Sequence, residues 1–137
     1  EFDHYKQWKS DVSSKWTCLG VETRIYHKHS DTAGSIDSLW KDETGKVVMV
    51  DWKRCKPGAL TKTAFQGKTG SGPCGNMADT PLAHYSCQQT LYATILRDAY
   101  DVIVDRALLV QLHPDESTYN QFELDIDLDL GRAMLSA

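Results

Sequence analysis

Apolar residues recur at helical spacing from Asp3 to Trp16, with Tyr5, Trp8, Val12 and Trp16 near one stripe, which predicts an amphipathic helix capping one face of a sheet. The period then shortens. Leu19 to Tyr26 reads as a strand, Ser30-Asp31-Thr32-Ala33-Gly34 as its turn, and Ser35-Ile36-Asp37-Ser38-Leu39-Trp40 as a second strand. Lys41 to Lys46 supplies hairpin turn chemistry, and Val47 to Arg54 forms a third strand. Because Val47-Val48-Met49-Val50 is apolar at every position, it suits a central strand covered on both faces.

Residues 57–81 hold Gly58, Gly67, Gly70, Gly72 and Gly75 with little apolar periodicity, so a long loop is expected there, of the length that is either a functional lid or disordered. Helical spacing resumes at Ser86, where Gln88, Leu91, Tyr92, Ile95, Leu96 and Ala99 share one face. A strand over residues 107–113, a turn at 114–117, a strand over 119–126 and a terminal helix over 128–136 complete the reading. The element order, αβββαββα, is that of an α/β fold with a central mixed sheet flanked by helices. At 137 residues the chain is expected to form one domain, residues 1–137.

Composition adds exclusions. Hydrophobic residues make up 41% and charged residues 25%, ordinary for a globular domain, and no apolar run approaches the ~20 residues needed to cross a bilayer. No membrane partner is expected. The start lacks a signal peptide, and Glu1-Phe2 is compatible with a cloning junction and a longer natural protein. Cys18, Cys55, Cys74 and Cys87 are scattered without metal-site spacing, and read as free thiols of an intracellular protein, with a Cys74 to Cys87 disulfide as the alternative. Net charge is −4, but residues 115 to 137 carry six acids against Arg132, which leaves the first 114 residues slightly basic. Lys53, Arg54, Lys56, Lys62 and Lys68 lie on or after the third strand, where cations can meet phosphates.

The chemistry concentrates at the end of that strand. Side chains alternate along a strand, so in Asp51-Trp52-Lys53 the acid and the amine share a face and Trp52 turns to the other. Asp37, 14 residues earlier on the neighbouring strand, is expected to meet them. Two converging carboxylates suit a hard divalent cation such as Mg²⁺ or Mn²⁺, and an adjacent lysine can orient a water or stabilise a phosphoryl group. A plain structural ion pair is the competing reading, although burying one rarely adds stability. His27-Lys28-His29 has a spacing that zinc could use, but a solvent-facing strand end is preferred. His84 and His113 are assigned to packing or solvent. Trp16, Trp40 and Trp52 are assigned mainly to the core, with Trp8 or Tyr85 available to stack on an unpaired base.

The ordered set Gly34-Ser35-Ile36-Asp37, Val50-Asp51-Trp52-Lys53, a long loop and Gln88-x-x-x-Tyr92 resembles the PD-(D/E)XK nuclease superfamily, and within it the RecB-like exonuclease group, over roughly residues 20 to 115. The resemblance implies a restriction-endonuclease-like core in which Asp37 and Asp51 bind metal, the backbone carbonyl of Trp52 completes the coordination, and Lys53 is catalytic. Glu22 matches the family's upstream acid. Gln88 and Tyr92, one helical turn apart, match a pair that lies beside the metal and orients catalytic groups or the DNA end. Arg54 and Lys56 are then candidates for binding nucleic acid.

The expectation is a Mg²⁺- or Mn²⁺-dependent nuclease that hydrolyses phosphodiester bonds of DNA, of exonuclease or end-processing type, with a metal-dependent RNA endonuclease as its neighbour within the class. The alternative is an inactive nucleic-acid-binding or interaction module of the same fold. Oligomeric state, strand preference and flanking domains are not encoded legibly.

Overall fold

The computed structural model describes residues 2–54, 81–113 and 115–136. Helix α1 spans Phe2–Ser13, followed by strands β1 (Thr17–His27), β2 (Thr32–Lys41) and β3 (Val47–Lys53). Helix α2 (Pro81–Tyr100) leads into β4 (Val104–Gln111), β5 (Asn120–Leu124) and helix α3 (Leu128–Ser136). The five strands form one mixed sheet in the order β1-β2-β3-β4-β5. β1, β2 and β3 pair antiparallel, β3 and β4 parallel, and β4 and β5 antiparallel. A parallel neighbour requires a crossover, and α2 lies on that connection. No helix among the described residues is long and apolar enough to cross a membrane.

The unbroken apolar run of β3 is explained by cover on both faces. Val48 and Val50 pack towards α1 with Trp8, Trp40, Leu108, Val110 and Leu112, whereas Met49 packs with Leu109, Ile95 and Leu96 under α2. Each face therefore takes every second residue, and the sheet centre is fully buried. On the α1 side Trp8 stacks edge-on against Trp16, Trp40 and Trp52, and its indole N–H donates to Gln121 Oε1 at 3.0 Å. Trp8 is wholly buried, so of the two aromatics considered for base stacking only Tyr85 stays accessible.

Helix α2 starts at Pro81 rather than at Ser86. Proline at the first helical position lacks only an N–H that would have no intrahelical acceptor there, and the following turn is anchored by buried Leu82. The rest of the expected loop, residues 57–80, lies outside the described residues, as do Lys56, Lys62, Lys68, Cys55 and Cys74. β1 and β2 both run longer than read, because their hairpin continues pairing to His27 opposite Thr32.

Helix α3 is capped by Asp127, whose Oδ1 accepts from the backbone N–H groups of Asp129 (3.0 Å) and Leu130 (3.2 Å). It approaches α2 at Gly131, where any Cβ would land on the side chain of Thr94. Thr94 is itself fixed by donating to Thr90 O at 2.7 Å. Gly131→Val is therefore expected to destabilise the chain by about 1–3 kcal/mol through overpacking, read as a lower denaturant midpoint with an unchanged slope. An unshifted midpoint would mean that α3 can back away at no cost.

Candidate metal and phosphate site

β2 and β3 pair residue by residue from Lys41 opposite Val47 to Ser38 opposite Val50. Beyond that point the ladder stops, and the N–H of Trp52 would face β2 without a backbone partner. Asp37 fills the gap: its Oδ2 accepts from the Trp52 N–H at 3.1 Å. The N–H and C=O of one strand residue point to the same flank, so the Trp52 carbonyl opens on the Asp37 side.

The strand pairing beside Asp37 is locally irregular. Val21 pairs with Ser38 and Thr23 with Ile36, which leaves Glu22 opposite Asp37, and Glu22 has φ +49°. Ile36 and Leu39 both pack under α2, although an uninterrupted alternation would put them on opposite faces. A kink of this kind re-aims side chains. Here it brings Ile36 onto the α2 face beside Leu39.

Asp51 is 6% exposed, and its carboxyl is pushed up from the ordinary 3.8 to about 7. Burial is the largest cause, followed by Asp37, which raises it both by sharing a hydrogen bond with the protonated form and by like charge. Lys53 opposes these effects but is outweighed. Its Nζ stands 3.7 Å from Asp51 Oδ2, beyond good hydrogen-bond length, and that oxygen is buried without a hydrogen-bond partner. The Lys53 ammonium also sits 5.5 Å from the centre of the Tyr85 ring, within cation–π range.

Further along α2, Gln88 Nε2 donates to Tyr92 Oη at 3.4 Å. The Tyr92 ring lies against Gly34, where a Cβ would run into it, so glycine at 34 lets helix and strand close together three residues before Asp37. Asp51 thus meets Asp37 and Lys53, with the Trp52 carbonyl on the Asp37 flank, while Tyr92, hydrogen-bonded by Gln88, packs on Gly34 of the strand that carries Asp37. Tyr85 is the contributor the motif reading missed as a partner of Lys53. Its signal was positional, since Tyr85, Gln88 and Tyr92 fall at i, i+3 and i+7.

Of the remaining candidates, Glu22 sits opposite Asp37 in the strand pairing. Glu22 is exposed on β1, and among the described residues no three His, Cys, Asp or Glu side chains gather closely enough to hold a metal. Arg54 follows β3, with Lys56 outside the described residues. His27 is turned into the hairpin, its Nδ1 2.7 Å from Ser30 Oγ. His113 is buried and accepts from the Asp115 N–H at 3.1 Å. Trp52 packs edge-on against Tyr5 and Trp8, and its buried indole N–H has no hydrogen-bond partner.

The donor set fits a hard divalent cation. Two carboxylates pressed together leave negative charge that one lysine offsets incompletely, and the unpartnered Asp51 oxygen is the kind of hard ligand that Mg²⁺ or Mn²⁺ selects.

No protein-family model matches this chain, and no curated protein is significantly similar to it. Among solved structures it is similar to a protein designated SSO0001, at 15% identity and a TM-score of 0.46. The match covers 98% of this chain and 53% of the other, so the chain spans about half the length of that protein.

The raised Asp51 pKa has a stability consequence. The folded chain retains a proton that the unfolded chain releases near pH 3.8, so this contribution is fully present below 3.8 and is lost as pH rises through about 7. Without divalent metal, the melting temperature should fall between pH 5 and pH 8, and Asp51→Asn should flatten that fall. Adding Mn²⁺ at pH 8 should raise it for the parent chain and not for the variant. Identical pH profiles for the two chains would contradict the assignment.

Proposed function

We propose that this chain is a Mg²⁺- or Mn²⁺-dependent nuclease with a PD-(D/E)XK core, hydrolysing phosphodiester bonds of DNA and working from or near strand ends. One observation carries the reading: Asp51 is held against Asp37 with a buried oxygen lacking a hydrogen-bond partner, and the Lys53 ammonium stands 3.7 Å from that oxygen. A fold gains little from such crowding unless a cation or a substrate completes it. The resemblance of the Gly34-to-Asp37, Asp51-to-Lys53 and Gln88-to-Tyr92 segments to RecB-like nucleases agrees with the same chemistry.

Asp37, Asp51 and the Trp52 carbonyl would hold the metal. A bound divalent ion would lower the pKa of a water and neutralise charge growing on the phosphoryl oxygens. Lys53, partly exposed and kept between Asp51 and the Tyr85 ring, is placed to hold a non-bridging phosphate oxygen or to orient the water for in-line attack. Gln88 and Tyr92 supply an amide and a phenol for a neighbouring phosphate or sugar. Nothing in this arrangement excludes RNA. The exposed position of Glu22 is the feature that favours the alternative, a nucleic-acid-binding module without turnover.

End-labelled single- and double-stranded DNA incubated with Mg²⁺, Mn²⁺ or EDTA separates the readings. The nuclease reading requires metal-dependent cutting, reduced at least ~10²-fold in Asp51→Asn and Lys53→Ala variants that keep their circular dichroism spectra. Intact strands at every metal concentration, with salt-sensitive retention, would leave the binding module.

A further inference from the structure

The hairpin of β1 and β2 carries a second feature that the Asp37 and Asp51 chemistry leaves unused. A cavity of about 450 Å³ is lined by Arg24, Tyr26, Ala33, Gly34, Ser35 and Tyr100, with Ile25 contributing beneath. Ala33 and Gly34 add almost no side-chain volume there, and the two tyrosines stay 44% and 47% exposed. They are joined, because the Tyr26 backbone N–H donates to Tyr100 Oη at 3.0 Å, which fixes the end of α2 against the hairpin. Tyr26 Oη in turn donates to Asp31 Oδ1 at 2.8 Å. Arg24 is exposed and has no ion-pair partner among the described residues.

From this we infer that the cavity is a subsite for one nucleobase of the substrate strand, the base stacking on Tyr100 or Tyr26 while Arg24 meets its phosphate. The inference rests on the nuclease reading and adds where the strand runs. Two partly exposed aromatic rings, that of Tyr100 anchored through its hydroxyl to the Tyr26 backbone, suit the flat face that every base presents, whatever its sequence. The volume is that of a small-ligand site, and the guanidinium matches the backbone's charge.

Continuity with the metal site supports this occupant. Gly34 and Ser35 line the cavity and lie on the same strand as Asp37, three residues away from Gly34. At ~3.3 Å per residue this is ~10 Å along β2, about three base steps of a nucleic acid strand. Tyr92, packed on Gly34, lies at the junction between the two regions. A strand held at Lys53 and running along β2 past Tyr92 would reach Tyr100.

The test uses a short oligothymidylate in EDTA, with 5-iodouracil placed at successive positions, photo-cross-linking, and mass spectrometry of the adduct. A cross-link to Tyr100 or Tyr26 is expected from one position only, at a constant offset from the phosphate that is cut when metal is restored. Tyr100→Ala should weaken binding roughly 5- to 100-fold, and Tyr100→Phe, which keeps the ring but loses the bond to the Tyr26 N–H, should weaken it by less. Arg24→Gln should lower the slope of log affinity against log salt by about one. Unchanged binding in Tyr100→Ala, together with cross-links confined to other residues, would overturn the subsite even if cleavage is intact. The same holds if Tyr100→Ala changes self-association and spares DNA binding, which would assign the cavity to a second copy of the chain. Cross-linking at Tyr100 without any metal-dependent cleavage would overturn the nuclease reading and leave the subsite standing.

Discussion

Everything distinctive about this chain turns on two carboxylates held against each other at the end of a buried strand. Burial and like charge both penalise ionisation of Asp51, and Lys53, 3.7 Å away, offsets them only in part. The backbone accepts this crowding because Asp37 is also needed locally. It satisfies the Trp52 N–H where the β2–β3 ladder ends, so the residue that loads the site with charge also closes the sheet.

The two faces of the sheet divide the labour. On one side Trp8 packs edge-on against Trp16, Trp40 and Trp52, and charged groups, Arg106 and Glu43, meet the cluster at Trp16. That cover leaves the other side free to mix a core under α2 and α3 with a polar end formed by Asp37, Asp51, Lys53, Gln88 and Tyr92. Glycine serves this side twice. Gly34 admits the Tyr92 ring, and Gly131 lets α3 come down onto Thr94.

Much of the fold was legible because its elements follow simple periods. The four apolar residues of β3 announced a strand covered on both sides, and alternation placed Asp51 and Lys53 together. The stripe of Tyr5, Trp8 and Val12 identified α1 and its buried face, although the helix ends at Ser13 and Trp16 joins the cluster from beyond it. What failed followed from local exceptions. Trp8 was considered for base stacking because a periodic aromatic does not declare how deeply it is covered, and three other indoles enclose it. The start of α2 was read five residues late, because Pro81 resembles a breaker until its position at the first turn is known.

Residue order alone therefore determined the succession of helices and strands, their inward faces, and the acid and lysine that share the end of β3. These depend on periods of 2 and 3.6 residues, which any stretch of chain displays without reference to the rest. Only the tertiary structure decided that β1 kinks at Glu22 and leaves that acid exposed, that Tyr85 faces Lys53, and that Tyr100 meets Tyr26 across 74 residues. Those outcomes depend on how α2 crosses the sheet and how the hairpin twists over it, and the forces responsible act between segments remote along the chain.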